Sequence, residues 1–296
     1  MFSNSATRLA GYAQRWLPAS SVDWLKGKRK EWLRRNRAQL RLRLVEKYGT
    51  FSAQQLVAVC RALGVKKNGV LFVQCSYNDL LSYGGATYEL LSAMRELAGP
   101  AGTLLMPAYS SNMHETPCRP FDVLGEPTNA GILAELFRRE EGVVRSLHPR
   151  HSVCGLGPQA TALLAGHENC VYANGPDSPF DRIRSMEAQS LCLGLPPGFH
   201  SFVHWVTDIE PEKYPVPVHE GPFECLLRNE DGTEIRRLFY RHLGGRINRN
   251  WLLDEHLGAN AMRTVQFYGV SLCLYTWPAL ATELLALRDR GIVCLV

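Results

Sequence analysis

Between Arg145 and Ala160 the chain reads RSLHPRHSVCGLGPQA, which gathers two histidines (His148, His151), two hydroxyls (Ser146, Ser152), a thiol (Cys154) and two arginines around a proline. A polar connection of this kind is where α/β enzymes place their binding groups, although each residue also fits an ordinary solvated turn. His148 and His151 stand three residues apart across a proline instead of on one helix face, so no metal centre is expected. A second candidate, Cys75, closes the apolar run VLFVQC at the carboxyl end of an expected strand, where open α/β sheets present ligands. A small buried thiol is the alternative there. Missing from the chain are a GxGxxG after a strand, a Walker lysine pattern and a GxSxG elbow, which sets aside dinucleotide, P-loop and serine-hydrolase chemistry of those types.

The elements that must position these residues alternate. Ser52 and Gln55 resemble a capping box for a helix carrying Leu56, Val59, Cys60 and Leu63 and ending at Gly64. A turn signal then precedes the strand VLFVQCS. Gly84 and Gly85 open a helix through Leu90, Leu91, Met94 and Leu97, which stops at Gly99-Pro100 and feeds the strand TLLMPAYS. Strand, helix and strand at this spacing form a βαβ unit. A helix over 128–140 leads into the Arg145–Ala160 stretch, read as a helix exit, a strand and then a polar connection. SLCLGLP at 190–196 is a further buried strand, followed by the polar connection Pro197–Ser201. FECLLRNEDGTEIRRLFYRHL alternates around Asp231-Gly232 as a β-hairpin does. The tail carries a strand-like VQFYGVSLCLY and a last amphipathic helix around Leu280, Leu284 and Leu287.

The 296 residues, 46% hydrophobic, suffice for a sizeable core. No apolar run reaches the roughly 18–20 residues of a membrane span, and Arg8, Arg15 and Leu17-Pro18 interrupt any signal-peptide pattern, so a cytoplasmic protein is expected. Nine scattered cysteines without a CxxC pair read as reduced, mostly buried thiols. The net charge of +5 divides unevenly: residues 1–50 carry about +9 and the remainder about −4. A basic helical arm over 1–48, with Leu33, Leu40, Leu44 and Tyr48 on one face, thus precedes a single domain over 49–296. Trp24 and Trp32 are the aromatics interleaved with the arm's basic run, too few for base stacking, so nucleic acid is not the expected partner. Docking on protein, as in a homodimer formed through the arm, is.

Four blocks together resemble the aminoglycoside 3-N-acetyltransferase family. They are VLFVQCSYNDLLSYGGATYELLSAMRELAGPAGTLLMPAYS, EPTNAGILAELFRREEGVVRSLHPRHSVCGLGPQATALLAGH, NGPDSPFDRI and LCLGLPPGFHSFVHWVTD, covering roughly residues 55–210. The resemblance implies a three-layer α/β fold with a central mixed sheet, joined here to the hairpin-containing C-terminal part and the N-terminal helical arm. It also implies acyl-CoA as donor and direct transfer to an amine. The family's catalytic histidine falls on His204, and an amine protonated at neutral pH needs such a base before it can attack a thioester. Where the family keeps a carboxylate three residues later this chain has Thr207, and the nearest acid is Asp208.

Ser76, the one match to the family's His-Ser-Ser at Gln74–Ser76, joins Ser146, His148 and Ser152 as the implied wall for CoA. Cys75 and His200 are implied on the acceptor side. Asp177 and Asp181 of the Ser-Pro-x-Asp-Arg block would meet an aminosugar ammonium, an ion pair of Asp181 with Arg182 or another basic residue being the alternative. His200 and Ser201 stand where the family has Asn-Thr. The expectation is an N-acyltransferase acting on an aminosugar or aminoglycoside. A catalytically inactive CoA- or sugar-binding module of the same fold is the alternative, favoured by Thr207.

Overall fold

The computed structural model describes residues 19–114, 117–195, 200–243 and 253–293. The first 18 residues of the arm, most of the Pro197–Ser201 connection and Cys294 lie outside them. Two units are distinguished, Met1–Gly49 and Thr50–Val296. The first holds helix α1 (Ala19–Tyr48). Its apolar residues do not gather into a stripe: Trp32, Leu40, Leu42 and Tyr48 are exposed and Leu44 is half-buried. No described helix is long and apolar enough to cross a membrane.

In the second unit α2 (Ala53–Leu63) opens on the expected capping box, Ser52 Oγ accepting from Gln55 N while Gln55 returns the bond. It closes on Gly64, whose φ of +112° suits a residue without Cβ. Then follow β1 (Val70–Cys75), α3 (Thr87–Ala98), β2 (Thr103–Pro107), β3 (Phe121–Asp122) and α4 (Ile132–Phe137). The helix expected over 128–140 is shorter because Thr128 Oγ1 and Asn129 N both bind the Tyr109 carbonyl and Gly131 has φ +105°. Next come β4 (Val144–Arg145), β5 (Val153–Leu156), α5 (Ala160–Leu164), α6 (Pro179–Arg184), β6 (Gln189–Leu193) and α7 (Val203–Ile209). The chain continues with β7 (His219–Arg228), β8 (Glu234–His242), α8 (Leu253–His256), β9 (Met262–Phe267), β10 (Val270–Thr276) and α9 (Trp277–Asp289).

The polar residues 146–152 follow a helix exit and the short strand β4, as expected, and connect it to antiparallel β5. One correction concerns the order of elements. The apparent strand VQFYGVSLCLY is a hairpin, because Tyr268 (φ +52°) and Gly269 (φ +76°) turn the chain between β9 and β10.

Seven strands form one mixed sheet in the order β4-β5-β2-β1-β6-β10-β9, parallel across β2-β1-β6 and antiparallel elsewhere. The central strands are buried on both faces and read as apolar runs for that reason. Leu71, Val73, Leu104, Leu191 and Leu272 point into one core with α2 and α3, whereas Val70, Phe72, Leu105, Cys192 and Cys273 point into a second with α7 and α9. Helices on both faces of a sheet make three layers. A second sheet, β3-β7-β8, covers a small core of Phe121, Leu147, Leu227 and Phe239. It brings the hairpin's outer end beside α7, with His219 and His242 opposite one another.

Candidate active site

α7 follows β6, the strand that pairs in parallel with central β1, and four segments meet around it. α7 supplies His204, Thr207 and Asp208; the β4-β5 connection supplies Arg150 and His151; the loop before α6 supplies Asn174; the β7-β8 hairpin supplies His219 and His242. Gly175 allows the loop to pass close to α7, since a Cβ there would lie 3.0 Å from the Asp208 carbonyl.

Asp208, 1% exposed, is the hub. One carboxylate oxygen accepts from His219 Nε2 and His242 Nε2, both at 2.8 Å, with Thr207 Oγ1 at 2.9 Å. The other accepts from the Asn174 backbone N at 2.9 Å and from its Nδ2 at 2.8 Å. Burial works to raise this carboxyl, but His242 charge and the hydrogen bonds from His219 and His242 outweigh it and hold it well below the usual carboxylate range. Asn174 Nδ2 also reaches His151 Nδ1 at 3.2 Å.

The imidazoles pack on one another, His204 and His242 with centroids 4.7 Å apart, His219 and His242 4.8 Å, His151 and His204 5.6 Å. Asp208, His219 and His242 are the described trio with metal-ligand chemistry. Donation of both imidazole N–H groups to one carboxylate oxygen accounts for their contacts.

His204 is half-buried, and its Nδ1 is enclosed without a partner while Nε2 is not enclosed. Burial drives its pKa down to about 3, with His242 pushing the same way and Asp208 opposing. At neutral pH it is a free imidazole with a lone pair to offer.

The expected site residues divide sharply. His204 and Asp208 are brought together, yet Asp208 does not touch the imidazole it was expected to orient; its oxygens are committed to His219, His242 and Asn174. Thr207, in the family's carboxylate position, lies with its hydroxyl 2.8 Å from His242 Nε2.

Ser146, His148 and Ser152 are not on an accessible wall. The Ser146 hydroxyl accepts from Val153 N and contacts His167 Nδ1, both at 2.8 Å. Ser152 donates to the Ala108 carbonyl and accepts from Arg145. His148, 0% exposed, accepts the backbone N–H groups of Arg150 and His151 and stacks on His167. All three stitch the β4-β5 connection together. Of the four residues expected at CoA, Ser76 alone is partly accessible, its hydroxyl 2.5 Å from Asp79 Oδ2.

His200 is buried, bonded through Nε2 to Ser190 Oγ at 2.8 Å and stacked on Phe202. Cys75 is half-buried and burial, reinforced by Asp79, pushes its thiol up. Asp181 accepts from Trp205 Nε1 and pairs with Arg184 at 3.0 Å. Arg182, the partner named for it, binds the carbonyls of Ala162, Leu163 and Ala165 instead. Asp177 is exposed with φ +62°. The eight described cysteines are all free.

Four residues that sequence reasoning gave no role, His151, Asn174, His219 and His242, complete the cluster. Asn174 begins the quoted NGPDSPF block. The two hairpin histidines are harder to see, because a register shift between Glu220 and Phe223 sets His219 opposite His242.

A three-layer α/β fold with a cluster of histidines around one buried carboxylate at the end of its parallel strands suits the acyltransferase class. The aminoglycoside 3-N-acetyltransferase family model matches residues 72–284, and the chain belongs to that family. It is 30% identical over 184 residues to aminoglycoside N(3)-acetyltransferase IV of Salmonella sp, a match spanning 62% of this chain and 66% of that protein. The fold is that of aminoglycoside acetyltransferase AAC(3)-Xa, with a TM-score of 0.72 and 19% identity over 86% of this chain and 99% of that one. AAC-IIIb in binary complex with CoASH superposes at a TM-score of 0.69 with 19% identity, covering 82% of this chain and 97% of its own.

Proposed function

We propose that this chain transfers an acetyl or other short acyl group from acyl-CoA to an amino group of an aminosugar or aminoglycoside, with His204 as general base. The observation that carries the reading is the His204 imidazole itself, kept neutral by burial with Nε2 not enclosed. As the amine nitrogen bonds to the thioester carbonyl it becomes positive and acidic. His204 Nε2 takes that proton and returns it to the sulfur as the C–S bond breaks. The transient imidazolium lies against His242, itself bonded to the Asp208 carboxylate, so the negative charge at the hub offsets the positive charge arriving on His204. Asp208 is thus a positioning and charge-balancing residue. Ser76, at the end of β1, is the member of the expected CoA set that a ligand would reach without unfolding the β4-β5 connection.

Direct transfer is further supported at Cys75, whose raised thiol pKa disfavours the thiolate that an acyl carrier needs. The chemistry is assigned to residues 49–296, with 1–48 as an arm through which two copies associate. Thiol release from acetyl-CoA, measured with a panel of aminosugars and aminoglycosides, tests the reading. Amine-dependent release supports it; CoA binding with no turnover across the panel would favour the inactive module.

A further inference from the structure

We propose that Arg150 forms an anion-binding subsite beside His204, so that the acceptor is an amine that also carries a phosphate, carboxylate or sulfate near its reacting nitrogen. This deepens the acyltransferase reading and rests on it.

The argument starts from how this fold treats arginines. The other half-buried or buried arginines described in the second unit have their donors taken. Arg61 binds the carbonyls of Val65, Glu96 and Leu97, and Arg145 those of Ala108, Val123 and Glu126. Arg182 binds three carbonyls, Arg138 pairs with Glu135, Arg241 with Glu220, and Arg288 with Glu210 and Asp289. Arg150 is half-buried, and among the described residues its guanidinium makes no hydrogen bond or ion pair. A guanidinium carries five N–H donors and stays charged, so leaving it partly buried without an acceptor is costly unless a ligand supplies one.

Its placement is built. The Arg150 backbone is held on both sides, N–H to His148 Nδ1 at 3.2 Å and carbonyl to Ser110 N at 3.0 Å. The charged groups near Arg150 are Asp208, Arg241 and Glu220. Neither carboxylate pairs with it: the Asp208 oxygens are bonded to His219, His242 and Asn174, and Glu220 Oε1 is bonded to Arg241 at 2.5 Å. The charges acting on His204 include a single carboxylate, that of Asp208, together with Arg150. The acids expected to meet an ammonium are elsewhere, Asp181 on Trp205 and Arg184. A polycationic amine would therefore meet an unpaired guanidinium, whereas an anionic substituent would meet a two-pronged donor.

The anion belongs to the acceptor rather than to the donor. Arg150 directly precedes His151, whose ring packs 5.6 Å from that of the base, where the thioester must sit, and the whole pantetheine arm separates the thioester of CoA from its phosphates.

The test compares wild type, Arg150→Gln and Arg150→Lys with glucosamine, glucosamine 1-phosphate, glucosamine 6-phosphate and an aminoglycoside as acceptors, acetyl-CoA as donor, and thermal melting to verify folding. The wild type should favour a phosphorylated amine over glucosamine by about 10- to 100-fold in kcat/KM. Arg150→Gln should bring that ratio close to one through KM, and Arg150→Lys should keep part of it. Preference for the aminoglycoside, or a ratio untouched by Arg150→Gln, would overturn the proposal. So would a rise in KM for acetyl-CoA in Arg150→Gln that is absent with S-acetylpantetheine, since the anion would then be the donor's. If no amine releases thiol the acyltransferase reading fails by itself. Calorimetric titration with the two sugar phosphates then decides the subsite, binding lost in Arg150→Gln supporting it and binding absent or unchanged refuting it.

Discussion

Two histidine-bearing regions face one another in this molecule and treat the same side chain in opposite ways. In the β4-β5 connection His148 is wholly buried, its Nδ1 accepts two backbone N–H groups and its ring lies against His167 and Phe239. In α7 His204 is half-buried, accepts nothing through Nδ1 and keeps Nε2 unenclosed. The first imidazole replaces backbone partners that a tight connection cannot find in a strand ladder, and serves stability. The second makes no internal hydrogen bond through Nδ1, and in the proposed function it serves the substrate. A histidine's chemistry is set by which nitrogen the fold leaves uncommitted.

Acid acts on buried imidazoles in both regions and gives the largest effect, since His204 is lowered as well. Burial lowers His167 to about 4 and holds His148 and His200 well below the usual imidazole value. The unfolded chain binds protons to these groups from about pH 6.5 downward while the folded chain does not, so their contribution is full above pH 6.5 and is lost as pH falls. Each such histidine costs about 1.4 kcal/mol per pH unit across its window. Denaturant melts between pH 7 and 4 should lose stability steeply, with the loss shrinking in a His167→Asn variant. A flat profile would contradict the buried, neutral assignment.

His204→Asn should lower kcat/KM by about 10²- to 10⁴-fold and move the melting temperature by no more than a few degrees. An equal loss of CoA affinity, followed by calorimetry, would remove His204 from the chemistry. Asp208→Asn should affect both regions, costing about 3 kcal/mol of unfolding free energy because two imidazoles and Asn174 lose their charged acceptor, and slowing turnover as well. His148→Leu should cost about 1–3 kcal/mol by orphaning the N–H groups of Arg150 and His151 while leaving kcat within a few-fold. The smallest effect is expected at Cys75→Ser, within a few-fold in rate. Mass spectrometry after mixing with acetyl-CoA alone should find no acyl group on Cys75.

Much of this protein could be read from its amino acids because the signals are local. The Ser52–Gln55 capping box, Gly64 and Gly99 as helix stops, the apolar runs at 70–75, 103–107 and 189–193 and the hairpin around Asp231-Gly232 all appear where the residues indicate. Strands buried on both faces need no alternation, and a helix end needs one residue free to adopt positive φ. The family blocks likewise carried the fold and the position of His204.

What the linear pattern did not contain was the commitment of each polar atom. Ser146, His148 and Ser152 look like ligand-binding groups in sequence, yet they lie beneath the surface because a two-residue strand, a tight connection and a four-residue strand leave backbone groups that only neighbouring side chains satisfy. Asp208 was chosen for its nearness to His204 along the chain, while its oxygens belong to histidines 11 and 34 residues away. His219 and His242 meet only because a register shift in the hairpin brings them opposite one another. Local sequence determined which elements form, since their energetics are summed over neighbours along the chain. The tertiary structure alone decided which imidazole stays open and which arginine stays unpaired, because burial and hydrogen-bond satisfaction depend on groups that the sequence holds far apart.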